Sequence, residues 1–192
     1  LNQAAPGQNL NRVVLSKGKV VLEYDFKNSN HGQVKDKSGN HYDGIVSNAK
    51  ITGTQAVFTG SSDSYIKTEV DSMGPPYTLS FSVNPASSKG VLFSGIDSIL
   101  LAESLTWNVT GQLYSLNYTL PLNKETRVEI HATRDATFAY IGKDKVPMYW
   151  YTELDIWGDY MQTANMSFAA PIQKIGAGFK GAISNIRLSQ GA

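Results

Sequence analysis

The stretch Met148-Tyr149-Trp150-Tyr151-Thr152-Glu153-Leu154-Asp155-Ile156-Trp157-Gly158-Asp159-Tyr160 is the most unusual in the chain. Read as one extended strand, it places Tyr149, Tyr151, Glu153, Asp155, Trp157 and Asp159 on one face. Met148, Trp150, Thr152, Leu154, Ile156 and Tyr160 fall to the other side, and most of these suit a core. The first set has the chemistry of a sugar site. Rings stack on the apolar C–H face of a pyranose, and carboxylates accept hydrogen bonds from paired hydroxyls. An outward row of rings needs a cover, either a glycan or another domain. The candidate glycan contacts are therefore Trp107, Tyr149, Tyr151, Trp157 and Tyr160, with Glu153, Asp155 and Asp159 as hydrogen-bond partners. The competing reading is a peripheral hairpin whose aromatics cover a sheet edge.

Other chemistry is thinner. His31, His41 and His131 are far apart and lack a metal-binding spacing. No Gly-x-Ser-x-Gly elbow accompanies a serine–histidine–acid set. Asp36, Asp43, Asp63 and Asp71 lie in segments rich in oxygen ligands, but no Asp-x-Asp-x-Asp loop is present. They are either solvated turns or the seat of one structural calcium. The sequons Asn108-Val109-Thr110, Asn117-Tyr118-Thr119 and Asn165-Met166-Ser167 are about what chance supplies in a chain this rich in Ser, Thr and Asn.

The elements that hold these residues are strands. The chain has 192 residues, 41% hydrophobic and 17% charged, a globular composition for one domain. A net charge of +1 and no Lys/Arg block give no footprint for nucleic acid. The chain has no cysteine, which excludes disulfides, Cys-based zinc sites and thiol catalysis. No apolar run approaches the ~20 residues of a membrane span. The polar opening, 1–11, is expected to be a linker or N-terminal extension, with one domain over 12–192.

In 20–26, Val20, Leu22, Tyr24 and Phe26 share a parity. In 77–83, Tyr77, Leu79, Phe81 and Val83 alternate with Thr78, Ser80 and Ser82, which predicts a wettable outer face. Further strands are expected at 44–46, 56–58, 65–67, 91–93, 98–102, 106–110, 112–119, 127–133, 137–141, 172–175 and 181–188, the last with an irregularity near Ser184. Segment 28–40 reads as a loop. No long amphipathic helix is visible. This spacing predicts an all-β, two-sheet antiparallel β-sandwich or jelly roll. Gly39 and Gly60 are expected at positive φ.

Four segments, in order, resemble the laminin-G-like (pentraxin/laminin G type) branch of the concanavalin A-like lectin/glucanase superfamily. The first is Leu22-Glu23-Tyr24-Asp25-Phe26 followed by Asp36-Lys37-Ser38-Gly39-Asn40 and Gly44. The second is Ala56-Val57-Phe58-Thr59-Gly60 with Ser64-Tyr65-Ile66. The third is Tyr77-Thr78-Leu79-Ser80-Phe81-Ser82-Val83-Asn84-Pro85, with Ser82 where the family often has an aromatic. The fourth is Phe179-Lys180-Gly181-Ala182-Ile183-Ser184-Asn185-Ile186-Arg187-Leu188, similar to the family's closing strand. The middle, 106–170, departs most, and specificity would normally lie there.

The resemblance implies a jelly-roll sandwich, often with structural calcium, and a secreted or extracellular setting. It implies a non-catalytic carbohydrate-binding or accessory module of a glycoside hydrolase or lectin-like protein. Its partners would be a glycan or polysaccharide and a catalytic domain of the same parent. One alternative is an interaction domain that packs on a catalytic domain and binds no sugar. Another is a glycoside hydrolase using Glu153 and Asp155. Glu153-Leu154-Asp155-Ile156 is similar to part of the family-16 hydrolase signature Glu-x-Asp-x-x-Glu. Trp157 or Gly158 stands where the last carboxylate belongs.

Overall fold

The computed structural model describes residues 18–30, 32–154 and 158–191, with 151–154 and 158–161 described by backbone alone. The expected linker at 1–11 lies outside the described residues.

Strands account for nearly all regular structure. In chain order they are β1 (Lys19–Tyr24), β2 (Gln33–Val34), β3 (Gly44–Ser47), β4 (Lys50–Ile51), β5 (Gln55–Thr59) and β6 (Tyr65–Lys67). There follow β7 (Tyr77–Pro85), β8 (Val91–Ser94), β9 (Ser98–Leu101), β10 (Thr106–Val109), β11 (Gln112–Ser115) and β12 (Thr126–Ala132). The last are β13 (Thr137–Ile141), β14 (Asp144–Pro147), β15 (Tyr149–Leu154), β16 (Gly158–Thr163), β17 (Lys174–Ile175) and β18 (Lys180–Gln190). One sheet has the order β14-β13-β12-β7-β18-β5-β4, with β1 also paired to β18. The other runs β16-β15-β11-β10-β9-β8-β17-β6-β3-β2. The ladders are antiparallel, and the two sheets form a β-sandwich.

Strand alternation explains how the sheets meet. Leu79, Phe81 and Val83 of β7 are fully buried, as are Ile183, Ile186 and Leu188 of β18 and Leu22 and Tyr24 of β1. The Phe81 ring of one sheet meets Phe93 of the other at 4.8 Å between centroids. The irregularity near Ser184 is a bulge between Ser184 and Arg187, with Asn185 at φ 47°. The extra residue restores core parity to Ile186 and Leu188. Gly39 and Gly60 sit at φ 88° and 95°, a region that side chains disfavour.

Three expectations need correction. Ser80 and Ser82 are not a wettable face: both are 6% exposed, because the Arg127 side chain lies across them and bonds to both. The strand expected at 112–119 ends at Ser115, where the serine hydroxyl accepts the Asn117 amide and Asn117 turns to φ 50°. The loop at 28–40 contains the short strand β2, which pairs with β3.

Acid should weaken this fold. Asp43 is held below the usual carboxylate range by the Asp36 amide and Lys35, and Asp63 by Ser61 and Asn48. At Asp25 desolvation acts upward, but the bonds from Lys37 and the Lys27 amide outweigh it. A depressed folded-state pKa gives stability that is present above the unfolded value of ~3.9 and lost as pH falls through the folded value. The melting temperature should hold steady from neutral pH down to about 5 and fall below about 4. A profile flat to pH 2.5 would contradict this.

Candidate functional site

The segment 148–160 is not one strand. It is a hairpin: β15 and β16 pair with Tyr149 opposite Thr163, Tyr151 opposite Met161, Thr152 opposite Tyr160 and Glu153 opposite Asp159. Single-strand parity therefore does not carry across its turn. Asp155 and Trp157 lie outside the described residues, and of Tyr151, Glu153, Asp159 and Tyr160 only the backbone is described.

Tyr149 and Trp150 are described fully and separate as alternation predicts. Trp150 packs against the core, and its indole N–H donates to Gln162 Oε1 at 3.2 Å. It continues an inward row across the sheet: Leu100, Trp107, Tyr114, Trp150. Trp107 is 1% exposed. Its ring belongs to the core and offers no surface to a ligand, which corrects the expectation that it contacts glycan. An aromatic mid-strand faces whichever way the register sends it, and here the partners are Leu100 and Tyr114.

The opposite, outward row is Leu101, Thr106, Ser115, Tyr149, in register across β9, β10, β11 and β15. Beside it lies a groove of about 330 Å³, lined by Leu101, Glu103, Ser104, Thr106, Leu113, Ser115 and Asn117. A 3-10 turn at Glu103–Leu105 walls one end. Ser104 and Leu105 take φ 51° and 48°, which brings the chain back over the sheet. Leu105 is buried, and its carbonyl accepts the Leu116 amide. Ser115 joins floor to wall: its hydroxyl receives Thr106 Oγ1 at 3.0 Å and donates to the Ser104 carbonyl at 3.0 Å.

The groove combines leucine side chains with hydroxyls, an amide and the Glu103 carboxylate. Such a lining offers an apolar floor for C–H groups and both donors and acceptors for hydroxyls. The sequence reading missed these residues apart from the sequon at Asn117. The signal was a hairpin turn at Thr110-Gly111, which sets Thr106 against Ser115 and sends both outward.

Asp36, Asp43 and Asp63 accept hydrogen bonds from loop residues. Asp36 accepts the Glu23, Ser38 and Tyr42 amides and the Ser38 hydroxyl. Tyr24 donates its hydroxyl to the Tyr42 carbonyl. Burial first, then Asp36, Asp43 and Glu69, push its pKa far above the usual value, so it stays a neutral donor. Among the described residues no three His, Cys, Asp or Glu side chains gather as a metal site. Likewise no described helix is long and apolar enough to cross a membrane.

No family model matches the chain, and no curated protein matches it in sequence. Solved structures do share the fold. Domain 4 of AbnA, a GH43 extracellular arabinanase from Geobacillus stearothermophilus solved in complex with arabinotriose, is 21% identical with a TM-score of 0.55. That match covers 92% of this chain and 94% of the domain. Trypanosoma rangeli sialidase is 14% identical with a TM-score of 0.54 over 91% of this chain, which spans only 31% of the sialidase. The class shared with these proteins is the two-sheet antiparallel β-sandwich.

Proposed function

We propose that this chain is a non-catalytic carbohydrate-binding module of a secreted glycoside hydrolase, with a jelly roll of the concanavalin A-like, laminin-G-like kind. One observation carries the reading: the outward row Leu101–Thr106–Ser115–Tyr149 runs beside an open groove whose lining suits a sugar ring. Tyr151 and Glu153 follow Tyr149 at every second position of β15 and Asp159 pairs with Glu153, so in this proposal they extend the row, with Asp155 and Trp157 as further contacts, whereas Tyr160, opposite Thr152, takes the other face. Domain 4 of the arabinanase, bound to arabinotriose, supports a short oligosaccharide as ligand and a catalytic domain as the covalent neighbour.

Stacking contributes on the order of 1 kcal/mol per ring, so one or two sugars should bind in the μM–mM range. On arabinan and related polysaccharides, Tyr149→Ala should weaken retention about fivefold, and Trp157→Ala should abolish it, with the fold intact by circular dichroism. Undiminished retention of both variants would overturn the site. Release of reducing sugar, lost in Glu153→Gln, would replace the module with a hydrolase.

A further inference from the structure

The opposite sheet carries a second groove, of about 300 Å³, on its outer face. Its walls include Glu23, Asp25, Ser82, Arg127, Asn185 and Arg187. The bulge in β18 makes it. Asn185, at φ 47°, lifts its carbonyl out of the ladder, and Arg127 Nη1 donates to that carbonyl at 2.8 Å. Arg127 Nη2 donates to Ser80 Oγ at 2.9 Å, and Nη1 reaches Ser82 Oγ at 3.5 Å. The guanidinium is thus laid across β12, β7 and β18. Burial of its inner side lowers its pKa from the ordinary value, against the pull of Glu129 and Glu125.

Every one of these acceptors is neutral. Among the described residues neither Arg127 nor Arg187 takes part in an ion pair. A guanidinium has five N–H donors, so among the described residues Nε–H and one Nη2 hydrogen of Arg127 have no hydrogen-bond acceptor. Arg187 stands in register between Ser80 of β7 and Glu23 of β1. The groove therefore has the fixed Arg127 guanidinium and the exposed Arg187 on one wall and the Glu23 carboxylate on the other, where Asp25 is already paired with Lys37 at 2.7 Å.

We infer that this groove is a second saccharide-binding site, for a neutral sugar that sets vicinal hydroxyls between Arg127 and Arg187 on one side and Glu23 on the other. An anion would meet Glu23, and a cation would meet the two arginines. A diol answers both walls, since each hydroxyl donates and accepts. The module would then hold polysaccharide on both faces of the sandwich and could bridge two chains. This site stands independently of the groove beside Tyr149.

The test is an NMR titration of ¹⁵N-labelled protein with arabinotriose, xylotriose, maltotriose and, separately, glucuronate. At least one neutral trisaccharide should shift the Arg127 Nε–H and Asn185 amide signals. Arg187→Ala and Glu23→Gln, both outside the core, should each weaken that response about fivefold and leave the shifts around Tyr149 unchanged. Tyr149→Ala should do the reverse. Silence at Arg127 with all three neutral sugars overturns the inference. So does a response to glucuronate alone, or one unchanged in Arg187→Ala. If instead the Tyr149 groove alone is silent, the reading under Proposed function fails and this one stands.

Discussion

Phe81→Ala is expected to destabilise the domain by ~3–5 kcal/mol and to lower its melting temperature by about 10 °C. Phe81 is fully buried at the middle of β7, the strand that lies between β12 and β18. Its ring fills the space between the sheets and tilts against Phe93 at 4.8 Å. Removing it forfeits the transfer free energy of the ring and leaves a cavity. The sandwich cannot collapse into that cavity easily, because β7 is held by continuous ladders on both sides. Phe81→Leu keeps most of the volume and should cost clearly less. Urea unfolding of the three proteins gives the comparison. An alanine variant within 2 °C of the parent would mean that the middle of β7 does not centre the core.

That much was legible in the sequence because strand parity is local. Tyr77, Leu79, Phe81 and Val83 read as one buried face, and all four are 3% exposed or less. The pairing of β1 with β18 joins strands from the two ends of the described chain, which alternation within either strand does not announce. Exposure of the serines between them was misjudged, since it depends on Arg127, which reaches over from a strand more than forty residues away. Alternation tells which side a residue takes, and it does not tell what lies down on that side.

The site was harder for the same reason. Trp107 and Tyr149 carry similar rings, yet one is buried and the other half-exposed. The difference lies in register: Trp107 falls in line with Leu100 and Tyr114, and Tyr149 with Ser115 and Thr106. Register between strands far apart in the chain is set by turns, and the turn inside 148–160 broke the single-strand pattern. The groove at Glu103–Leu105 depends on two non-glycine residues at positive φ, which no periodicity announces.

Asp36 should carry the second large effect, through an edge rather than the core. Among the described strands β1 pairs only with β18, so its other edge would present unpaired amides and carbonyls. The loop around Asp36 covers that edge. Asp36 Oδ1 accepts the Glu23 amide at 3.0 Å, and the Lys37 amide donates to the Glu23 carbonyl at 2.9 Å. The Asn40 side-chain amide donates to the Val20 carbonyl at 3.0 Å and to the Val21 carbonyl at 2.9 Å. Asp36 organises this cover by accepting the Ser38 amide at 2.9 Å, the Ser38 hydroxyl at 2.7 Å and the Tyr42 amide at 3.0 Å. Asp36→Ala leaves these donors without an acceptor, at a cost of ~2–4 kcal/mol. Asp36→Asn keeps the shape but turns an NH₂ toward N–H or O–H donors on one side, so it should cost about half as much. The Glu23 amide, protected in the parent, should exchange with solvent far faster in both variants. Since β1 also carries Glu23 to the second groove, sugar binding there should weaken together with that protection. Unchanged stability and an unchanged Glu23 exchange rate in Asp36→Ala would show that the edge is held by something other than this carboxylate.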